Sequence, residues 1–447
     1  MKKPISIFLI ALLNLTLVAS CVRTETDESS YVSTVSINEE ISKTEESEPE
    51  ETVSIMGYNV KDFGAKANGT DDSEYIQAAI NECAIKGGGT VYLPSGTYGI
   101  AKTIVKSAKV SIVGEGMWAT QLKWIGESDN TMIDTANQAL WGTSIENIFF
   151  LRGNGADKIT GILGGSTLTQ YNSAIGTFKN LVFSGLYCGI SGNAEPSGVG
   201  IFDCNFENIF ASDCKYGLQL YGSGNTIVHP RIATCEAGLV LDYLNGESFD
   251  GVHVIGGIFA SNTTDILIPA KNGLRPCDFV GTWFENATEG IITIKNSDTR
   301  VMNMTFRDCM LNSAADNKDF FLFDVSKALG VVTLDSCTVV NNEGIIEPKN
   351  KQSVLAITNL QVYDSDKTYV ISDIKNGNFS TAGNGSKTVY TITHGAGFVP
   401  GYVSVTPASK AAAVQYYVEA DAQNIIITFI TAPKNGKEIA FFWEIKK

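Results

Sequence analysis

The sequence predicts an all-β protein whose middle is a solenoid of short coils, and three observations carry that prediction. Self-similar segments recur every 21 to 28 residues, one short amphipathic helix precedes them, and short alternating strands follow them. With 447 residues, 44% of them hydrophobic and only 18% charged, the chain can bury a substantial core. Its net charge of −15 would repel a polyphosphate, so no nucleic acid is expected as a partner.

The amino terminus reads as an export signal. Lys2 and Lys3 precede an apolar run from Ile5 to Ser20, shorter than the roughly 20 residues that span a bilayer. The run ends Leu17-Val18-Ala19-Ser20-Cys21, which resembles the lipobox of bacterial lipoproteins, and that resemblance implies a lipid on Cys21. The alternative is ordinary secretion with an unmodified Cys21. Either way residues 1–21 direct the chain out of the cytoplasm; the lipidated form would be extracytoplasmic and anchored to a bacterial membrane. Residues 22–55 follow with ten carboxylates against Arg23 and Lys43, a charge of −8 that leaves −9 for residues 56–447. Such a segment buries too little apolar surface to offset its ordering entropy, so it is expected to be an extended tether.

Ordered sequence is expected from Tyr58, with a cap over residues 58–100. Asp71, Asp72 and Ser73 offer N-capping oxygens, Ile76, Ile80 and Cys83 fall on one helical face, and Gly87, Gly88 and Gly89 end the helix. Thr90-Val91-Tyr92-Leu93 then reads as a strand ending at Pro94. The segments Asp62-Phe63-Gly64-Ala65, Asp71-Asp72, Gly87-Gly88-Gly89-Thr90-Val91-Tyr92-Leu93-Pro94, Gly96-Thr97-Tyr98 and Ile112-Val113-Gly114-Glu115-Gly116 resemble the pectate lyase superfamily. The likeness is to the rhamnogalacturonase/epimerase-like opening module shared with polygalacturonases and phage tailspikes. It implies a right-handed single-stranded parallel β-helix, plugged by the helix, over residues 56–363, and a polysaccharide as ligand or substrate.

The repeats stand independently of that resemblance. Residues 188–190, 216–218, 237–239, 264–266 and 289–291 each open a short apolar strand, and the whole suggests about ten coils. The segments TIVHPRIATCEAGLVL, HVIGGIFASNTTDILI and DFVGTWFENATEGIIT align without gaps. Ile232, Phe259 and Phe284 then share one inward column, with Arg231, Ile258 and Trp283 outward beside it. Cys214 and Cys235 also share a column, which allows either a disulfide or two buried thiols packed as small hydrophobes.

Residues 364–386 are rich in Asp, Asn, Gly and Ser and read as a linker, before a small antiparallel β-domain over 387–447. VYTITHGAGFVPGYVSVTP and IAFFWEIKK there resemble the C-terminal β-domains of phage tail proteins.

Chemistry is less legible. The family resemblance implies carboxylates on the outer face of one sheet, as an acid/base pair for hydrolysis or as calcium ligands with a basic residue for β-elimination. Polygalacturonases carry an Asn-Thr-Asp element, an Asp-Asp pair within the coils, a Gly-His-Gly element and an Arg-Ile-Lys element, and this chain departs from all four. Trp283 and Glu285 flank the inward Phe284, a stacking plane beside a carboxylate. Column alignment sets His253 over Asp278, a contact that would tune a base, and Asp250 over Arg275, a pair suited to an acidic sugar or to tying two coils together. Arg231 is a further substrate-binding candidate. Glu285, Asp278 and His253 are thus the catalytic candidates, with a solvated carboxylate and a polar ladder as the structural alternatives. No metal ligands or cofactor are indicated, calcium excepted if the chain is a lyase. A non-catalytic adhesin or tailspike-like module, monomeric or homotrimeric, is the alternative to an enzyme.

Overall fold

A computed structural model describes residues 57–447 apart from 137, 154–155, 166–173, 193–199, 243–250, 270–275, 296–299, 314–322, 325–328, 341–352, 364–367, 372 and 397. Cys21, Asp250 and Arg275 lie outside the described residues, as does the acidic segment 22–55.

The cap forms as its sequence requires, with one difference. The helix Ser73–Ile85 buries Ile76, Ala79, Ile80 and Cys83 against the first coil. Asp72 precedes it but does not cap it. Its buried carboxylate turns back to accept the Lys66 and Ala67 amides at 2.8 and 2.9 Å, closing the preceding loop, while Asp71 accepts from the Ser73 amide at 3.0 Å. Gly88, at φ 107°, is required twice over: a Cβ there would lie 2.5 Å from the Lys109 carbonyl oxygen.

The body is a right-handed parallel β-helix built from a 22-stranded sheet that folds around corners and a nine-stranded sheet. The expected columns are present: Ile232 pairs with Phe259 and Phe259 with Phe284, while Arg231 pairs with Ile258 and Ile258 with Trp283. Phe259 and Phe284 stack with ring centroids 5.4 Å apart, and Phe150–Phe183, Phe178–Phe206 and Phe279–Phe306 repeat the arrangement in other coils. The nine-stranded sheet contains Cys188–Ser191, Tyr216–Tyr221, Ala237–Asp242, Thr264–Ile268 and Gly290–Ile294; the first four open where the repeat placed them and the last one residue later. Gly217 and Gly238 face inward inside those strands, because a Cβ would press on Ile232 at 2.7 Å and on Phe259 at 2.8 Å.

A ladder not foreseen from sequence lines one corner. Asn147, Asn180 and Asn208 all adopt positive φ, and their side chains are linked by amide hydrogen bonds of 2.8 Å. In later coils His229, Gly256 and Gly281 take the same left-handed conformation. Cys214 and Cys235 are free thiols, each donating to the carbonyl two residues earlier at 3.3 Å, so the packed-hydrophobe alternative holds.

The expected linker is largely folded. Within 364–386, Thr368–Ile371 pairs antiparallel with Leu360–Tyr363, and Ile374–Ala382 is the first strand of the terminal domain. That strand alternates exposed and half-buried residues, a pattern that its Asn, Gly and Ser content conceals. Two three-stranded antiparallel sheets then enclose a core of Tyr390, Ile392, Ile425, Ile427, Phe429, Ile439, Phe441 and Ile445.

Candidate functional site

Outward positions follow from strand alternation, so the site can be built column by column. His253 stands on Val252–Ile255 and Asp278 on Cys277–Val280, in register, with Nδ1 of His253 3.1 Å from Oδ2 of Asp278. Both side chains are nearly half exposed, so the pair adds little to stability and remains open to a ligand. Gly256 and Gly281, at φ 65° and 63°, then turn the chain before the next strands begin at Ile258 and Trp283.

Trp283 and Glu285 therefore lie beyond a corner from His253 and Asp278, and among the described residues no hydrogen bond or ion pair joins the two groups. The register partners of Glu285 are Ala260 and Asn312, so no second carboxylate stands in its column on either side. The structure brings His253 to Asp278, and Arg231 into one column with Trp283. It does not gather the three catalytic candidates into one constellation.

What it does gather is a longer stripe. Phe149, Val182, Phe210, Arg231, Ile258, Trp283 and Met310 occupy one outward column in consecutive register. From Phe149 to Trp283 this is five coil steps, about 24 Å at a spacing of about 4.8 Å. The turn after Gly114 folds over the stripe and sets Trp118 edge-on to Phe149 at 5.4 Å and to Phe210 at 5.7 Å. Hydrogen bonds from Ser95 to Glu115 fix the start of this turn and hold the Glu115 carboxyl below the usual range. Met117 caps the asparagine ladder, its sulfur accepting from Asn208 at 3.7 Å. Beyond Phe210 the Arg231 guanidinium lies 5.9 Å from the ring centroid. Trp118 is 56% and Trp283 49% exposed, two aromatic planes with a cation between them. Trp118 and Phe210 escaped the sequence reading, which took Ile112-Val113-Gly114-Glu115-Gly116 only as part of the family resemblance; the signal was an aromatic just after that segment.

The outer face of the second sheet holds a smaller polar and aromatic cluster. Lys215 lies 5.1 Å from the ring centroids of both Tyr187 and Tyr216, and Gln219 donates to the Tyr221 hydroxyl at 2.6 Å. His394 is structural. Its Nδ1 accepts the Ala396 amide at 3.1 Å, which leaves Nε2 to donate to the Asp421 carbonyl at 3.0 Å. Among the described residues no three His, Cys, Asp or Glu side chains are grouped to hold a metal.

A parallel β-helix with an aromatic and cationic stripe on its outside is the class of protein these features define. Residues 57–142 match the model of the family described as rhamnogalacturonase A/epimerase, pectate lyase-like. Over 86 residues the chain is 49% identical to alginate lyase 7 of Azotobacter vinelandii, a match covering 17% of this chain and 10% of that protein. It is 40% identical over 92 residues to mannuronan C5-epimerase AlgE2 of the same organism, covering 19% of this chain and 9% of the relative. These matches thus span about a tenth of the relatives' own length. Among solved structures, the A-module of mannuronan C-5 epimerase AlgE4 of A. vinelandii aligns with a TM-score of 0.49 at 20% identity, over 69% of this chain and 96% of the module.

Proposed function

We propose that this chain is an exported polysaccharide-binding protein that holds an acidic or complex glycan along the outer stripe from Trp118 to Trp283. The observation that carries the reading is the placement of two exposed indole planes on either side of Arg231. Indoles pack on the apolar faces of sugar rings, and a guanidinium pairs with a uronate carboxylate. Relatives named for alginate and mannuronan support a polysaccharide as the ligand class. The signal-like start, Cys21 and the acidic segment support export and a lipid anchor on a bacterial membrane.

Hydrolysis by a carboxylate pair is disfavoured by one specific observation. Either carboxylate mechanism of glycoside hydrolysis needs a second carboxyl within about 5 to 9.5 Å of the first, and Glu285 is stacked between Ala260 and Asn312. The test uses residues 56–447 and a panel of acidic and neutral polysaccharides, with affinity, reducing ends and unsaturated products measured together. Trp283→Ala and Arg231→Ala should each weaken binding to an acidic glycan about tenfold, the equivalent of about 1.4 kcal/mol, without changing the melting temperature. Unchanged affinity in both variants would refute the stripe. Product formation abolished by Glu285→Gln or His253→Ala would replace recognition with catalysis. Light scattering on the same samples separates monomer from homotrimer.

A further inference from the structure

We propose that the C-terminal domain carries a second glycan-binding surface, suited to a neutral sugar chain. It is the outward face of the sheet formed by Ile374–Ala382, Glu438–Lys446 and Tyr402–Pro407. Alternation along these strands sends Phe379, Phe441, Ile445, Val403 and Val405 to the domain core, so their neighbours face out. In register, Asn376, Glu444 and Ser404 form one outward row and Asn378, Phe442 and Thr406 the next.

These two rows line a groove of about 470 Å³, within the range of small-ligand sites. Gly377 belongs to its floor: a Cβ there would lie 2.7 Å from the Trp443 ring, so the indole occupies the space beneath. Phe442 is 56% exposed in the middle of the groove, a large ring with no place in the core. Around it stand two amides and two hydroxyls, groups that both donate and accept as sugar hydroxyls do.

The charge on this face points to a neutral ligand. Glu444 is the one ionisable group lining the groove, and it pairs with Lys446 at 3.2 Å; the Lys446 ammonium in turn lies 5.3 Å from the Tyr402 ring centroid. No cation is left over to recruit a uronate, in contrast to Arg231 on the solenoid. A second copy of the chain is a poorer occupant. Strands about 4.8 Å apart and five outward rows, three of them across all three strands, give a face of roughly 300 Å², against about 800 Å² per partner in a stable interface.

The experiment is affinity electrophoresis of residues 56–447 through gels containing neutral β-glucan, xylan or mannan, and through gels containing alginate or polygalacturonate. Wild type should be retarded by at least one neutral glycan. Phe442→Ala, and independently the pair Asn376→Ala with Thr406→Ala, should weaken that retardation about tenfold and leave retardation by acidic glycans unchanged. Trp283→Ala should leave the neutral-glycan retardation unchanged. Unaltered melting temperatures in all variants exclude misfolding as the cause. The proposal is overturned by no retardation on any neutral glycan, by equal retardation of wild type and Phe442→Ala, or by light scattering in which Phe442→Ala turns an oligomer into a monomer.

Discussion

Asp265 offers a quantitative test of how dry the solenoid interior is. The residue points inward from Thr264–Ile268, in the position that Gly217 and Gly238 occupy in preceding coils, and is fully buried. One carboxyl oxygen accepts from the Asn262 amide at 2.8 Å; the other has no hydrogen-bond partner among the described residues. Burial therefore raises its pKa to about 8, opposed only in part by the Asn262 hydrogen bond. The native state keeps a proton that the unfolded chain releases near pH 4, so stability is fully present below about pH 4 and is lost as pH rises toward 8. The slope should approach about 1.4 kcal/mol per pH unit, for a total of about 6 kcal/mol across the window. Lys106 does not interfere, because burial lowers its pKa only to about 8 and its contribution changes above that pH. Asp265→Asn keeps an acceptor for Asn262 and removes the proton. Urea denaturation of both proteins between pH 4.5 and 7.5 should show the wild type losing stability relative to the variant by about one proton per molecule. Parallel pH profiles would show that the carboxylate is ionised and solvated in the native state, and would refute the argument from burial.

Three further outcomes follow from the geometry. Phe284→Ala, which deletes a ring stacked on Phe259 and packed against Phe279 and Phe306, should cost about 3 to 5 kcal/mol in denaturant unfolding. Asn180→Ala, in the middle of the corner ladder, breaks two 2.8 Å hydrogen bonds and should lower stability by about 1 to 3 kcal/mol, more than Asn208→Ala at its end. Cys21→Ser in the full-length chain should abolish metabolic labelling with palmitate and move the protein from the membrane to the soluble fraction; retained labelling would disprove the anchor.

The solenoid was legible because two strands and the corner between them keep one length in three successive coils. Matching TIVHPRIATCEAGLVL to HVIGGIFASNTTDILI and DFVGTWFENATEGIIT was enough to stack Phe259 on Phe284 and to set His253 against Asp278. The same alignment could not show that a corner at Gly256 and Gly281 parts His253 from Trp283, since a left-handed glycine and an extended one are written with the same letter. Trp118 escaped because it reaches Phe210 across some ninety positions from a turn that belongs to no repeat. Asp72 was misplaced by a contest between two sets of amides, those of the helix and those of Lys66 and Ala67, which local sequence cannot decide. Ile374–Ala382 was taken for a linker because Asn376, Gly377, Asn378 and Ser380 resemble loop composition, although three of them face outward and Gly377 makes room for Trp443.

The outward row through Arg231, Ile258 and Trp283 is produced by translation from one coil to the next, not by a pocket closing around a point. Lengthening such a surface takes only the duplication of one coil, which adds about 4.8 Å of reach and disturbs just the two layers it is inserted between. Selection can thus tune how much of a polymer is grasped by counting layers, leaving the cap and the terminal domain as they are.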